Sequence, residues 1–302
     1  MICKSLDEKQ LLILYRLTVI LDGRINGNCN IGMNDRNLYT SGMLPACYFC
    51  NVRETIIIEK DSMKKTLSAI AGICLCILFM GFRDIGHYPD KIWLHRCNSM
   101  EKLYEKYAAY PNIEVDVVFR NSRTFDVTHD IDTSFNLKLD AYFAYMKDRK
   151  GKIWLDIKNL TAENRLAALA GLDRLTRHFQ IAKDRLIIES PSYESLELFT
   201  QEGYYTSYYV TYKEPCALTD KKVEDCIGEL QRIVDGGSVC ALSFPGCWYE
   251  TIKEELDRSI DLLTWEHRTS QLQLLLSSSG RRMLSDPQLK VVLVKEKGSH
   301  HR

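Results

Sequence analysis

From residue 88 onward the chain alternates between two periodicities of apolar side chains. Short apolar segments, typical of β-strands, are separated by longer segments whose apolar residues recur at helical spacing. The predicted strands are IWLHR (92–96), IEVDVVF (113–119), KIWLDIK (152–158), RLIIES (185–190), YYTSYYVTY (204–212), SVCALSF (238–244), IDLLTW (260–265) and KVVLVK (290–295). The predicted helices span residues 99–110, 161–179, 192–203, 220–237, 249–259 and 270–280. Eight strands alternating with helices, without a GxGxxG motif, predict a compact (β/α)₈ TIM barrel rather than an open sheet.

One irregular piece interrupts this pattern after the second predicted strand. The segment TFDVTHD (124–130) is typical of a short hairpin or loop strand above the barrel. In a TIM barrel, residues that carry chemistry lie at the carboxyl ends of the strands. We therefore expect functional side chains in this segment and at the neighbouring strand ends.

The segment before the barrel has a different character. Residues 63–82 read MKKTLSAIAGICLCILFMGF, which is the order of a secretory signal: a basic start and then an apolar run. The run is short for a membrane span, which needs about 20 apolar residues. We interpret 63–83 as a signal peptide or an uncleaved membrane anchor, with a buried helix as the alternative. Because a signal starts at the initiator methionine, we expect translation to begin at Met63 and residues 1–62 to be a spurious or disordered extension.

The composition is that of an ordinary globular protein. The chain has 302 residues, and its 40 basic and 40 acidic side chains give a formal net charge of zero. This balance predicts no basic surface for binding a nucleic acid, so we expect a small-molecule partner. Residues 63–83 add a possible membrane tether. Five cysteines follow the apolar segment, an odd number that allows a single disulfide but no dense framework.

Polar residues cluster at the ends of the first three predicted strands. They are His95, Arg96, Glu114, Asp116, His129, Asp156 and Lys158. Because side chains alternate along a strand, Glu114 and Asp116 share one face, and the opposite face can pack on the helices. Acidic side chains in a barrel mouth repel one another, and each could instead be an ordinary salt-bridge partner. Taken together, Glu114, Asp116 and Asp156 favour a site for a hard divalent cation, Mg²⁺ or Ca²⁺.

The cationic side chains and the imidazoles extend this interpretation. His95 and His129 are suited to act as a general acid and a general base near neutral pH. Arg96 and Lys158 are suited to hold an anionic group, most naturally a phosphate. The residues together predict acid–base chemistry beside a divalent cation, on a substrate that carries an anionic group.

The segments LHRCNS, IEVDVVFRNSRTFDVTHD and IWLDIKNL resemble the glycerophosphodiester phosphodiesterases, within the phospholipase-C-like barrel phosphodiesterases. The family pattern is His-Arg-Gly, Glu-x-Asp, His-Asp and Glu-x-Lys, and the resemblance covers about residues 88–160. It implies that His95 and His129 are the catalytic pair, and that Glu114, Asp116 and Asp156 bind the metal. It also implies that Arg96 and Lys158 contact the phosphate, and that residues 88–302 form a phosphodiesterase domain.

The sequence departs from that pattern at three places. Cys97 stands where the family has glycine, and Asp156 is one methylene shorter than the usual glutamate. The proline-rich stretch after the first motif is absent, so the substrate loops cannot be carried over. Two alternatives stay open: a sphingomyelinase-D-like phosphodiesterase, and a catalytically silent barrel that binds a ligand.

Several further residues fall near the expected mouth. Glu189 ends the fourth predicted strand, and Trp265 ends the seventh and is followed by Glu266 and His267. Trp265 could line a substrate pocket or pack inside the barrel. The tyrosines of strand 204–212 are expected to pack, with a platform for a headgroup as the alternative.

Overall fold

The computed structural model describes residues 90–121, 124–265 and 269–296, together with residues 68, 69, 72 and 88. The expectations for residues 1–62, for nearly all of 63–83, and for Glu266 and His267 lie outside these described residues. No helix among the described residues combines the length and apolar character that a membrane span requires.

Eight parallel strands close into a barrel, which confirms the predicted TIM-barrel fold. The strands are β1 (Ile92–Leu94), β2 (Ile113–Phe119), β4 (Ile153–Ile157), β5 (Leu186–Ser190), β6 (Tyr205–Tyr209), β7 (Ala241–Pro245), β8 (Asp261–Trp265) and β9 (Leu289–Val294). Each of them pairs with its neighbours in parallel, and pairing of β1 with both β9 and β2 closes the ring. The short strand β3 (Phe125–Val127) pairs antiparallel with the carboxyl end of β2, as the irregular segment predicts.

Helices surround the barrel between the strands. They are α1 (Met100–Lys106), α2 (Leu139–Met146), α3 (Arg165–Phe179), α4 (Tyr193–Gln201), α5 (Asp220–Gly236), α6 (Tyr249–Glu255), α7 (Gln271–Leu276) and α8 (Ser278–Ser285). The hydroxyl of Ser99 caps α1 by accepting a hydrogen bond from the backbone N–H of Lys102. Gly237 ends α5 at a φ of 66°, a conformation that glycine adopts without a Cβ penalty.

The strands separate two apolar cores. The odd positions of β2, Ile113, Val115 and Val117, face outward and pack under the helices. The barrel interior contains a second cluster, formed by Trp93, Trp154, Ile187, Ala241, Leu263, Trp265, Val291 and Leu293. The predicted alternation of β2 is thus confirmed, because its apolar face serves the outer core and leaves Glu114 and Asp116 on the inner face.

The inner face also carries a buried polar layer. It comprises Glu114, Asp116, Asp156, Glu189, Ser207 and Ser243, none of which exposes more than 5% of its surface. Burying carboxylates is costly unless they are paired or bind a cation. The layer therefore needs compensating charges, and these define the candidate site.

Candidate metal and phosphate site

Three carboxylates converge where β2 and β4 run side by side. Asp116 of β2 and Asp156 of β4 are direct partners in the parallel register, and Glu114 lies two residues before Asp116. One oxygen from each of Glu114, Asp116 and Asp156 lies within 4.8 Å of the others. The structure thus brings together the three residues that the sequence suggests as metal ligands.

The ammonium of Lys158 lies against this cluster. Its Nζ is 2.6 Å from Asp116 Oδ1 and also forms an ion pair with Asp156. Burial alone lowers the pKa of Lys158, but the carboxylates of Asp156 and Asp116 outweigh it and raise that pKa above its usual value. Lys158 therefore offsets part of the negative charge of the cluster, and its contact with a phosphate remains a prediction.

The carboxylates carry more negative charge than their cationic neighbours offset. Burial, followed by repulsion from Asp116, raises the pKa of Glu114 well above its ordinary value. Burial also raises the pKa of Asp156, to about 6. The pKa of Asp116 is lowered, because its contacts with Lys158 and Asn98 outweigh the effect of burial. A set of hard oxygen donors with excess negative charge fits Mg²⁺ or Ca²⁺.

His95 is held beside the cluster at the end of β1. Its Nε2 lies 3.8 Å from Glu114 Oε2, while its Nδ1 is buried without a hydrogen-bond partner. Burial lowers the pKa of His95 to about 3, which favours the neutral imidazole. One ring nitrogen of a neutral imidazole is unprotonated and can accept a hydrogen bond.

His129 lies on the other side, in the loop after β3. Its Nδ1 is 2.8 Å from Asp130 Oδ1, and its Nε2 is 2.9 Å from Arg96 Nη2. Because a guanidinium only donates, Nε2 of His129 acts as the acceptor, and Nδ1 carries the hydrogen that Asp130 accepts. Arg96 Nε also lies 3.9 Å from Asp116 Oδ2, so this arginine links the second histidine to the carboxylates.

Two residues after β1 were missed by sequence reasoning: Asn98 in the loop and Lys102 in α1. Asn98 binds Asp116 twice: its Nδ2 donates to Oδ2 at 2.6 Å, and its Oδ1 accepts from the Asp116 backbone N–H at 3.0 Å. Lys102 is buried and donates to the carbonyls of His95 and Arg96, each at 2.9 Å. Lys102 lies in the first turn of α1, and nothing in the sequence indicates that its side chain is buried.

Cys97 stands where the resembled pattern has glycine, and it is held by regular contacts in this loop. Cys97 is fully buried, its N–H donates to Glu114 O, and its carbonyl accepts from the hydroxyl of Tyr142 at 2.6 Å. The left-handed backbone conformation falls on Arg96, whose φ is 51°. Position 97 therefore tolerates a side chain. None of the five cysteines among the described residues forms a disulfide, so the single bridge that the sequence allows is absent from this part of the chain.

Glu189 extends the carboxylate layer onto β5. It is the register partner of Asp156, and its Oε2 contacts the hydroxyl of Ser243. Ser243 Oγ also lies 3.0 Å from the carbonyl of Tyr208. Burial and the neighbouring Asp156 raise the pKa of Glu189 well above its ordinary value.

Two aromatic rings form a wall on the opposite side of the mouth. Tyr209 and Trp265 stack with centroids 4.9 Å apart and ring planes within 2°. Both line a cavity of about 430 Å³, together with Tyr212 and Pro245. The ammonium of Lys158 lies 5.9 Å from the Tyr209 ring centroid. Trp265 thus contributes both to the interior core and to a cavity wall, the two roles that the sequence leaves open.

Comparison with solved structures finds proteins that share the barrel fold. No protein-family model matches the sequence, and no curated protein matches it either. A structure assigned as a glycerophosphoryl diester phosphodiesterase from Silicibacter pomeroyi superposes with a TM-score of 0.50 and 13% identity, covering 68% of this chain and 89% of that one. A glycerophosphodiester phosphodiesterase from Parabacteroides distasonis gives a TM-score of 0.49 and 14% identity, covering 68% and 93%. At 13% identity, the likeness to the Silicibacter pomeroyi structure shows a shared barrel fold and nothing finer, and this is the fold that the sequence resemblance implies.

Proposed function

We propose that this chain is a metal-dependent phosphodiesterase of the glycerophosphodiester phosphodiesterase type. It would cleave a glycerophosphodiester or a related lipid-headgroup phosphodiester. The observation that carries the proposal is the convergence of three carboxylates, two imidazoles and two cationic side chains at one end of a barrel of this fold. The fold alone would not suffice, because TIM barrels support many chemistries.

The cationic side chains would bind the phosphate. Arg96 exposes 43% of its side chain and lies between Asp116 and His129, so an incoming anion can reach its guanidinium. Lys158 lies deeper and needs only to change partners to contact the same anion. Binding of a phosphate to Arg96 would also draw the guanidinium away from His129 Nε2 and leave that lone pair available for proton transfer.

The two histidines would move the protons. One would remove the proton of the attacking hydroxyl, from water or from the substrate, and the other would protonate the leaving alcohol. Asp130 fixes the tautomer of His129 by accepting its Nδ1 hydrogen, which leaves Nε2 as the exchanging atom. Burial favours the neutral imidazole of His95, which leaves one ring nitrogen unprotonated.

Glu114, Asp116 and Asp156 would hold the divalent cation, either Mg²⁺ or Ca²⁺. Their buried, partly uncompensated charge favours such an ion, and Asn98 fixes the orientation of Asp116. When bound, the ion would supply stabilisation of the negative charge that develops on the phosphoryl oxygens.

Export is part of the proposal. The order of residues 63–82 supports a signal or anchor that delivers the barrel to a periplasmic or extracellular location, with a membrane tether if it is retained. Amino-terminal sequencing of the native protein tests this. A first residue upstream of Met63 would contradict it.

Hydrolysis assays test the activity. Glycerophosphocholine and bis-p-nitrophenyl phosphate should be cleaved in the presence of Mg²⁺ or Ca²⁺. His129→Ala should lower kcat by about 10²–10⁴-fold. His178→Ala, which changes an exposed histidine of α3, is the matched control and should retain wild-type turnover.

The alternatives give different outcomes in the same assays. A silent barrel would show no metal-dependent turnover on any phosphodiester. A sphingomyelinase-D-like enzyme would instead act on choline sphingolipids in preference to glycerophosphodiesters.

A further inference from the structure

Glu189 is a fourth acidic side chain in the barrel interior. The parallel register places Asp116, Asp156 and Glu189 side by side on β2, β4 and β5. Glu189 exposes only 2% of its surface. Glu114, Asp116 and Asp156 each contribute one carboxylate oxygen to a set whose members lie within 4.8 Å of one another. Glu189 does not belong to this set. Glu189 thus borders the proposed cation centre without belonging to its inner set.

A buried hydroxyl next to Glu189 lacks a partner. Ser207 is the register partner of Glu189 on β6 and is completely buried, and its Oγ makes no hydrogen bond to any of the described residues. It shares the inner face of β6 with Tyr205 and Tyr209, which pack against the interior cluster. A buried hydroxyl without a partner costs free energy unless a ligand or water satisfies it. Ser207 therefore offers a buried hydroxyl with unused hydrogen-bonding capacity beside Glu189, independently of the acidic cluster.

The length of Asp156 supplies a reason for this arrangement. Asp156 is one methylene shorter than the glutamate of the resembled pattern, so its carboxylate extends less far from β4. Glu189, on the adjacent strand and at the same register level, carries the longer side chain. Asp156 and Glu189 together would supply, on the β4–β5 side of the site, the reach that a single glutamate has in the resembled pattern.

We propose that Glu189 is a positioning residue of the divalent-cation centre, accepting hydrogen bonds from water ligands of the ion on the β5 side and offsetting the short Asp156. Ser207 contributes a hydroxyl to the same water positions. This inference rests on the proposed function, because it requires that Glu114, Asp116 and Asp156 hold a cation.

Direct titration with metal tests the proposal without any activity assay. Binding of Mn²⁺ is followed by electron paramagnetic resonance, and binding of Mg²⁺ and Ca²⁺ by calorimetry. Glu189→Gln, which keeps the size of the side chain, should weaken cation affinity by about 10–100-fold, as loss of such outer partners typically does. Glu163→Gln removes the same charge from an exposed position and should bind like the wild type.

A compensating substitution sharpens the test. Asp156→Glu in the Glu189→Gln background should recover most of the lost affinity, because the longer ligand restores the reach from β4. Glu189→Ala is the second variant if the glutamine variant does not fold, and the same loss is expected. Melting temperatures of all variants establish that the fold is retained.

The outcomes separate the two proposals. If the wild type binds cations and cleaves phosphodiesters while Glu189→Gln binds as tightly as the wild type, the inference about Glu189 is wrong and the proposed function stands. If the wild type binds no divalent cation, both are wrong.

Discussion

The two halves of the barrel interior differ sharply in chemistry although the same strands build them. On β4, Trp154 is followed two residues later by Asp156, and on β5 Ile187 is followed by Glu189. The amino-terminal half is apolar, and beneath it lies a cavity of about 930 Å³ lined in part by Trp93, Ile187 and Val291. The carboxyl-terminal half contains the acidic layer. The difference indicates that apolar packing in the amino-terminal half holds the strands in place. The carboxyl ends of the same strands carry the functional side chains.

The largest expected effect concerns the carboxyl-terminal half. His95→Gln should lower kcat by about 10²–10⁴-fold, because it removes one member of the proposed acid–base pair. It should leave the melting temperature near that of the wild type, since His95 Nδ1 has no partner to lose. Steady-state kinetics and thermal unfolding of the variant check both parts, with His178→Gln as the matched control.

In the amino-terminal half, a substitution should lower the stability of the protein. Trp154→Ala should lower the free energy of unfolding by about 3–5 kcal/mol, because Trp154 is fully buried in the interior cluster. Trp154→Phe should cost much less, since Trp154 Nε1 makes no hydrogen bond. Urea unfolding measures both. Equal losses for the two variants would contradict the account of this core.

A smaller effect is expected from the loop that supports the site. Asn98→Ala should weaken divalent-cation affinity by about 10–100-fold, because Asp116 loses the amide that fixes its carboxylate. Asn121→Ala, at an exposed position, is the control. Calorimetric titration decides, and unchanged affinity in Asn98→Ala would show that Asp116 is held without this contact.

The smallest effect is expected where the same loop meets α2. Tyr142→Phe removes the hydrogen bond to the carbonyl of Cys97 and should lower the free energy of unfolding by about 1–3 kcal/mol, because a buried acceptor is left unsatisfied. Tyr104→Phe, on an exposed side chain, should have no measurable effect. Chemical unfolding of the two variants makes the comparison.

Much of the fold could be predicted because strand alternation is local. The sequence IEVDVVF determines which side chains of β2 face inward, so the inner placement of Glu114 and Asp116 follows from the spacing alone. Helix α2 was not predicted, because Lys138 at its N-cap forms no side-chain cap and the segment 128–138 before it has no regular period. The helix is stabilised by burial of Leu139, Tyr142, Phe143 and Met146.

The site was only partly predictable for a related reason. The residue types of the motifs suggest the chemistry, but the contacts of Asn98 and Lys102 depend on how the loop after β1 folds back over the barrel. The ion pair between Lys158 and Asp116 joins two strands, and the contact between Glu189 and Ser243 joins residues 54 positions apart. Such pairings depend on strand register, which no single segment of sequence contains.

The most direct test of the central claim is turnover before and after removal of the metal. Purified protein should cleave glycerophosphocholine, lose that activity on treatment with a chelator, and regain it when Mg²⁺ or Ca²⁺ is added back. The Asp116→Asn variant should not regain it. Turnover that survives chelation, or a protein inactive with either cation, would contradict a divalent-metal phosphodiesterase site at the carboxyl end of this barrel.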